Sequence, residues 1–386
     1  MINIRKILRK YPTFYNIVRL LRYFLMASVL RINGSKKKYP KVLQLPITYR
    51  CNSKCKMCNI WNVPSTKGIS SKEFGKILND PIFKEIIAAG INGGEPSLIP
   101  DLPDYVAELL KLPKIQSFNI ISNGFIKDPF LNNIEKIYLN CRKTGVSFHI
   151  AISLDGVNDV HNIIRGKKDA FSKTMSTIEE ILKNQNKYCD SFDVACTVIR
   201  QNIDYLIELD SFAEKKNFPI TYRLGIENKR IESDRLKEGF SVLMDSMSKQ
   251  ASKEFMHYKF FASGSLYEKL KYFSIFYWLN SDKPRRLLGC AWKDEGATLD
   301  AKGDLFYCAV ASDRIGNCLQ ETGEKLFFGE HNILHRKNII KYNCPNCIHD
   351  YDGKPELKNL IIFLKEIFMN RYSMRIYKLK CRLGLI

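Results

Sequence analysis

The first forty residues contain no aspartate and no glutamate, although they hold ten lysines and arginines. They also lack a long apolar run, for the longest uncharged stretch near the end of this segment, residues 23–30, is eight residues. A membrane-spanning helix needs about 20 apolar residues, which excludes a span here. A small-residue cleavage pattern is missing after residues 24–30, and a long charged segment precedes them, so a secretory signal does not fit. Cysteine is not scarce, at 12 residues, but it is not distributed like a disulfide framework. Three cysteines fall within one octapeptide and two more form a C-x2-C pair. In a long chain such clusters read as metal sites in a reducing compartment, which points to the cytoplasm.

The missing acids leave a lopsided charge. The 386-residue chain is +21 overall. Residues 1–40 carry +10, and residues 354–386, with eight basic residues against Glu356 and Glu366, carry +6. Basic ends around a nearly balanced body argue against a general nucleic-acid binder. Both ends are amphipathic. In residues 2–31, Ile4, Ile7, Leu8, Tyr11, Phe14 and Ile17 recur at helical spacing among Arg5, Lys6, Arg9 and Lys10, with Pro12 as a break. Residues 355–385 repeat the theme. Such helices suit the anionic inner face of a membrane, or they simply pack on the protein with basic faces in water.

No fourth cysteine accompanies Cys51, Cys55 and Cys58. Three thiolates at C-x3-C-x2-C can hold a 4Fe–4S cluster by three of its irons, leaving the fourth open to a ligand. A zinc knuckle is the competing reading, but zinc prefers two paired sets. From here the pattern alternates. Residues 42–48, 86–92, 115–122, 146–154, 192–199 and 220–224 read as strands. Residues 71–79, 101–112, 132–143, 171–187 and 203–216 read as helices, the first opened by Ser70 or Ser71 with Glu73 as a partial cap. This alternation predicts an α/β fold with a parallel sheet and crossover helices. The cysteine loop, Gly93-Gly94-Glu95-Pro96, Asn123-Gly124 and Asp155-Gly156 all follow strands, which places them on one barrel face.

In order and position these motifs resemble the radical S-adenosylmethionine (SAM) superfamily, as does the run from His161 to Gly166. The resemblance implies a partial (β/α)6 TIM-like barrel over residues 41–230. It implies a SAM-binding 4Fe–4S cluster on Cys51, Cys55 and Cys58. Electron transfer into SAM, from a donor such as flavodoxin or ferredoxin, would release a 5′-deoxyadenosyl radical that abstracts a substrate hydrogen. By the same resemblance Gly93, Gly94, Glu95 and Pro96 bind the SAM amino group. Ser122, Asn123, Ser153 and Asp155 contribute polar contacts to the cofactor, and Arg165 holds its carboxylate. Met57 packs on the adenine where relatives have an aromatic, and Trp61 adds to that wall. Taken alone, Ser122–Gly124 and Asp155-Gly156 are ordinary turn chemistry.

Downstream, Cys290, Gly303 and Cys308 are followed by Cys344 and Cys347. A hairpin at 300–303 brings the first pair together. Residues 286–353 thus resemble the SPASM/Twitch extension, a small cysteine-rich domain for a second, auxiliary 4Fe–4S cluster. With no cysteine in 348–380, the single-cluster Twitch form fits better. A zinc ribbon remains an alternative. Cys318 is a possible extra ligand. Residues 231–285 read as a helical linker. The SPASM/Twitch resemblance implies a sugar- or polyol-type substrate, oxidised or epimerised, and the basic ends favour an anionic or lipid-linked glycan, with Arg223 and Glu227 as catalytic candidates near Tyr222. The alternatives are a peptide or protein maturase, weakened by the shortness of residues 1–40 as a leader-binding module, and an iron–sulfur electron carrier or scaffold.

Overall fold

The computed structural model describes residues 38–64, 68–229, 231, 239–282, 284, 286–349, 359 and 361–365. The amphipathic helix expected in residues 2–31, and most of the one expected in 355–385, lie outside the described residues. In chain order the elements are β1 (Val42–Thr48), α1 (Ser71–Leu78), β2 (Ala88–Gly93), α2 (Leu102–Leu109), β3 (Ser117–Ser122), α3 (Lys127–Thr144) and β4 (Ser147–Ser153). Then come α4 (Asp159–Arg165), α5 (Ala170–Lys183), α6 (Gln185–Tyr188), β5 (Ser191–Val198), α7 (Leu206–Lys216) and β6 (Ile220–Leu224). After these follow α8 (Ser246–Ala262), α9 (Leu266–Leu279), α10 (Ala291–Glu295), β7 (Gly296–Leu299), β8 (Asp304–Phe306) and β9 (Gly316–Asn317).

The six expected strands form and pair in parallel, in the order β6-β5-β4-β3-β2-β1. Their alternation explains why. Phe118 and Ile120 on β3, Phe148, Ile150 and Ile152 on β4, and Val194, Cys196 and Val198 on β5 are buried at every second position, as strands covered by crossover helices require. The opposite face looks into the barrel lumen and carries Gln44, Asn92, Asn119, His149, Asp193, Thr221 and Arg223, a polar set. Within it His149 bridges Ser191 (2.9 Å) and Asp193 (3.1 Å), and Asp193 also accepts from Thr221 (3.1 Å).

Local chemistry sets the element ends. Ser70 and Glu73 form the expected capping box on α1. Gly145 closes α3 at φ 73°. Residues 171–187 are not one helix, for Asn184 leaves helical geometry between α5 and α6. The seven-residue α4 was too short for periodicity to reveal.

Beyond the barrel, β7 adds parallel to β1, pairing Val42 with Gly296 and Gln44 with Thr298, and β8 and β9 continue the sheet antiparallel. The expected hairpin at 300–303 is present. The chain forms two compact units, one of residues 37–248 and 292–344, the other including 249–291 and 345–386. The hydrogen bonds from β7 to β1 draw 292–344 into the barrel unit. In the other unit α8 and α9 pack around Phe260, Phe273 and Phe363, with ring centroids 5.3 to 6.1 Å apart. Phe363 thereby anchors a described part of the C-terminal amphipathic segment, while Ile361 stays exposed.

One close approach needs glycine. Gly94 donates to the Thr48 carbonyl (2.6 Å) and Glu95 to that of Arg50 (2.8 Å), which pins β2 to the chain leaving β1. A Cβ on Gly94 would overlap the Arg50 carbonyl, a backbone atom that cannot swing aside. Gly94→Ala is therefore expected to cost at least about 2 kcal/mol, read as a shifted urea midpoint at unchanged m. A loss under about 0.5 kcal/mol would show that the two chains separate freely.

Candidate active site

The cysteine loop is moored to the C-terminal end of α4. Lys54 N donates to the Arg165 carbonyl (3.1 Å), Lys56 N to that of Ile164 (2.8 Å), and Ser53 Oγ to that of Arg165 (2.9 Å). Gly166, at φ 64°, admits this contact, since a Cβ there would stand 2.7 Å from the Lys54 oxygen. Cys55 is buried, with Ser53 Oγ at 3.0 Å and the Arg165 guanidinium at 3.6 Å from its sulfur. Cys51 and Cys58 are half-buried. Burial pushes the Cys51 thiol up to about 12, with Cys55, Glu95 and Cys58 adding to the effect against the Ser53 amide. Met57 packs on Ile164, Ile199 and Phe240, and Trp61 Nε1 donates to the Cys58 carbonyl (2.8 Å).

Glu95 is fully buried behind the loop and joins β2 to β3. Its Oε1 accepts from Ser122 Oγ (2.7 Å) and Ser97 N (2.9 Å), its Oε2 from Asn123 N (2.8 Å). Burial raises its pKa, opposed by these donors. Asn123 Nδ2 reaches Asn52 in the cysteine loop (2.7 Å), and its Oδ1 accepts from Phe125 N (3.0 Å). Ser122 and Asn123 thus hold the loop's support, while Pro96 begins a 3-10 turn capped by Glu95. Glu95→Gln would place an N–H2 group among convergent donors, at an expected cost of about 1–3 kcal/mol in the urea midpoint. An unshifted midpoint would mean that the donors find other acceptors.

Asp155, expected to contact the cofactor, is held by the protein's own groups. It is fully buried, with Oδ1 accepting from Thr197 N (2.8 Å) and Oδ2 paired to Arg165 at 2.6 Å. Burial opposes the Arg165 charge, but Asp155 and the Cys55 sulfur outweigh it and raise its pKa. Arg165 Nε is buried and has no partner. Ser153, at the lumen end of β4, makes no hydrogen bond among the described residues. Gly93 and Gly94, expected to approach a ligand, approach the Pro46–Arg50 chain instead.

Two supports escaped the sequence reading. His161 is buried and neutral, burial and Arg165 holding its pKa well below the usual range. Its Nδ1 accepts from Asp155 N (3.0 Å), so Nε2 donates to Thr174 (3.3 Å), whose hydroxyl donates to the Asn123 carbonyl (2.9 Å). Asn202 Nδ2 donates to the Asp155 carbonyl (2.9 Å). His161 lies in a run that signalled the family, but only the fold shows what it touches.

Beside the cysteine loop a cleft of about 470 Å3 is lined by Tyr49, Asn59, Asn62, Asp300, Lys302 and Arg314 among others. Among the described residues no three His, Cys, Asp or Glu side chains close on one point where a single ion could sit. A four-iron cube is bound at separate corners and needs thiols spread around it.

Residues 45–213 match the model of the radical SAM superfamily. This stretch is a radical SAM domain. GTP 3′,8-cyclase of Helicobacter pylori is 27% identical over 198 residues, 50% of this chain and 57% of the cyclase. The sporulation killing factor maturation protein SkfB of Bacillus subtilis is 26% identical over 223 residues, 57% of this chain and 50% of SkfB. The chain thus spans about half the length of these curated relatives. Among solved structures, native anSMEcpe with bound AdoMet and Cp18Cys peptide shares the fold at TM-score 0.57 and 17% identity, over 89% of this chain and 99% of that one.

Radical SAM proteins bind a 4Fe–4S cluster and SAM, and when bound these supply a carbon radical able to take a hydrogen atom. The residues fit the group. Three thiols, none in a disulfide, sit on one anchored loop, and the unpartnered Arg165 Nε leaves a buried donor for a carboxylate. Of the other thiols, Cys308 accepts from Ala311 N (3.3 Å) in the barrel unit, which also holds Cys344. Cys290 and Cys347 belong to the other unit, where Arg286 donates to the Cys347 carbonyl (3.2 Å). All four are half-buried and free of disulfides. Burial pushes Cys318, with Asp80, Asp304 and Asp300 near it, up to about 12. Among the described residues no helix is long and apolar enough to cross a membrane.

Proposed function

We propose that this radical SAM enzyme modifies a peptide or protein. The observation that carries the reading is the similarity to SkfB, a maturation protein, which spans more of this chain than the similarity to the GTP cyclase. The lumen and the adjoining mixed-charge cleft are polar, in keeping with a substrate that brings many hydrogen-bonding groups. The sugar, polyol or lipid-linked glycan expected from the resemblance and the basic ends finds less support. A nucleotide is the second reading, favoured by the cyclase similarity.

In this reading Cys51, Cys55 and Cys58 hold the SAM cluster, and Arg165, set by Asp155, meets the SAM carboxylate. An auxiliary 4Fe–4S cluster takes up or passes on an electron. A flavodoxin or ferredoxin supplies the first electron. Anaerobic reconstitution followed by dithionite and SAM tests the enzyme, with 5′-deoxyadenosine as the readout. The peptide reading is tested by adding the product of a neighbouring small open reading frame, where a mass change in that peptide is expected. Stimulation by GTP or a sugar, with no peptide modified, would overturn it.

A further inference from the structure

We infer that the substrate presents a carboxylate to Arg223 in the upper lumen; this rests on the peptide reading. Arg223 lies on the lumen side of β6, paired in register with Thr197 of β5. Its side chain is half-buried and forms no hydrogen bond or ion pair among the described residues. Its nitrogens are not sealed from solvent, so an incoming anion can reach them in two-pronged geometry.

The lumen around it is divided. Lower down, His149, Ser191, Asp193 and Thr221 satisfy one another. Ala151 of β4 and Ala195 of β5, in register with Asp193 and Thr221, have short side chains that leave room below Arg223. The open guanidinium matches a carboxylate, which it can meet through two N–H donors. A peptide offers one on an acidic side chain or at its C-terminus. The SAM carboxylate has its own partner in Arg165, so Arg223 is assigned to substrate.

The test uses the SAM-loaded, cluster-bearing full chain and three probes: acetyl-Gly-Glu-Gly-amide, acetyl-Gly-Gln-Gly with a free C-terminus, and acetyl-Gly-Gln-Gly-amide. At least one carboxylate peptide is expected to bind about 10-fold or more tighter than the neutral one by titration calorimetry. Arg223→Gln should erase that preference, and Arg223→Lys should keep part of it. Which carboxylate peptide wins identifies the source of the group. Equal binding of all three probes, or a preference that survives Arg223→Gln, overturns the assignment. So does a fall in SAM affinity in Arg223→Gln, because Arg223 would then serve the cofactor. If gluconate binds in an Arg223-dependent way and no peptide does, the carboxylate role stands while the peptide reading fails.

Discussion

Cys55→Ala is expected to abolish 5′-deoxyadenosine formation, a loss of more than about 100-fold. Of the three loop thiols Cys55 is the most enclosed. It is 6% exposed, with Ser53 Oγ and the Arg165 guanidinium directed at its sulfur. No neighbouring thiol can take over, because the loop's position is set by backbone hydrogen bonds to Arg165 and Ile164. Iron should fall from about eight per chain toward about four as one of two cubes is lost. Cys141→Ala is the control. That thiol is fully buried, and burial pushes it up to about 12, so it behaves as a small apolar side chain. A Cys55→Ala protein that keeps its iron and still yields 5′-deoxyadenosine would overturn the cluster assignment.

Asp155→Ala is expected to destabilise the protein by about 3–5 kcal/mol. The substitution leaves Arg165 charged and only 8% exposed, and it strands the Thr197 amide. The measurement is a urea midpoint at unchanged m. The double change Asp155→Ala with Arg165→Met should recover much of the loss, since it removes the uncompensated charge as well. If the single substitution costs less than about 1 kcal/mol, water already compensates Arg165 and the pair is not what holds it. SAM affinity should fall too, because Asp155 sets the direction in which Arg165 offers its remaining donors. Asp155 is in this sense a positioning residue.

Much of this was legible in the sequence because it is local. The bounds of β1 and β6 coincide with the apolar runs at 42–48 and 220–224. The capping box at Ser70 and Glu73 needs only a spacing of three, and the cysteine loop is recognised from eight consecutive residues. Helix bounds were less secure. Asn184 divides one periodic run into two, and α4 spans too few turns to show a period.

The sequence by itself determined the alternation of strand and helix, the three thiols with no fourth, and the placement of every cofactor motif after a strand. Each follows from side-chain period or short spacing, which survive without a fold. The tertiary structure alone decided who meets whom. It paired Asp155 with Arg165 and packed the two glycines into a seam against β1. It also drew β7 to β1 across some 250 residues of chain. The physical reason is that charge pairing and close packing depend on distance in space. A sequence shows which groups are present, while only the fold settles which of them lose water together and must satisfy one another.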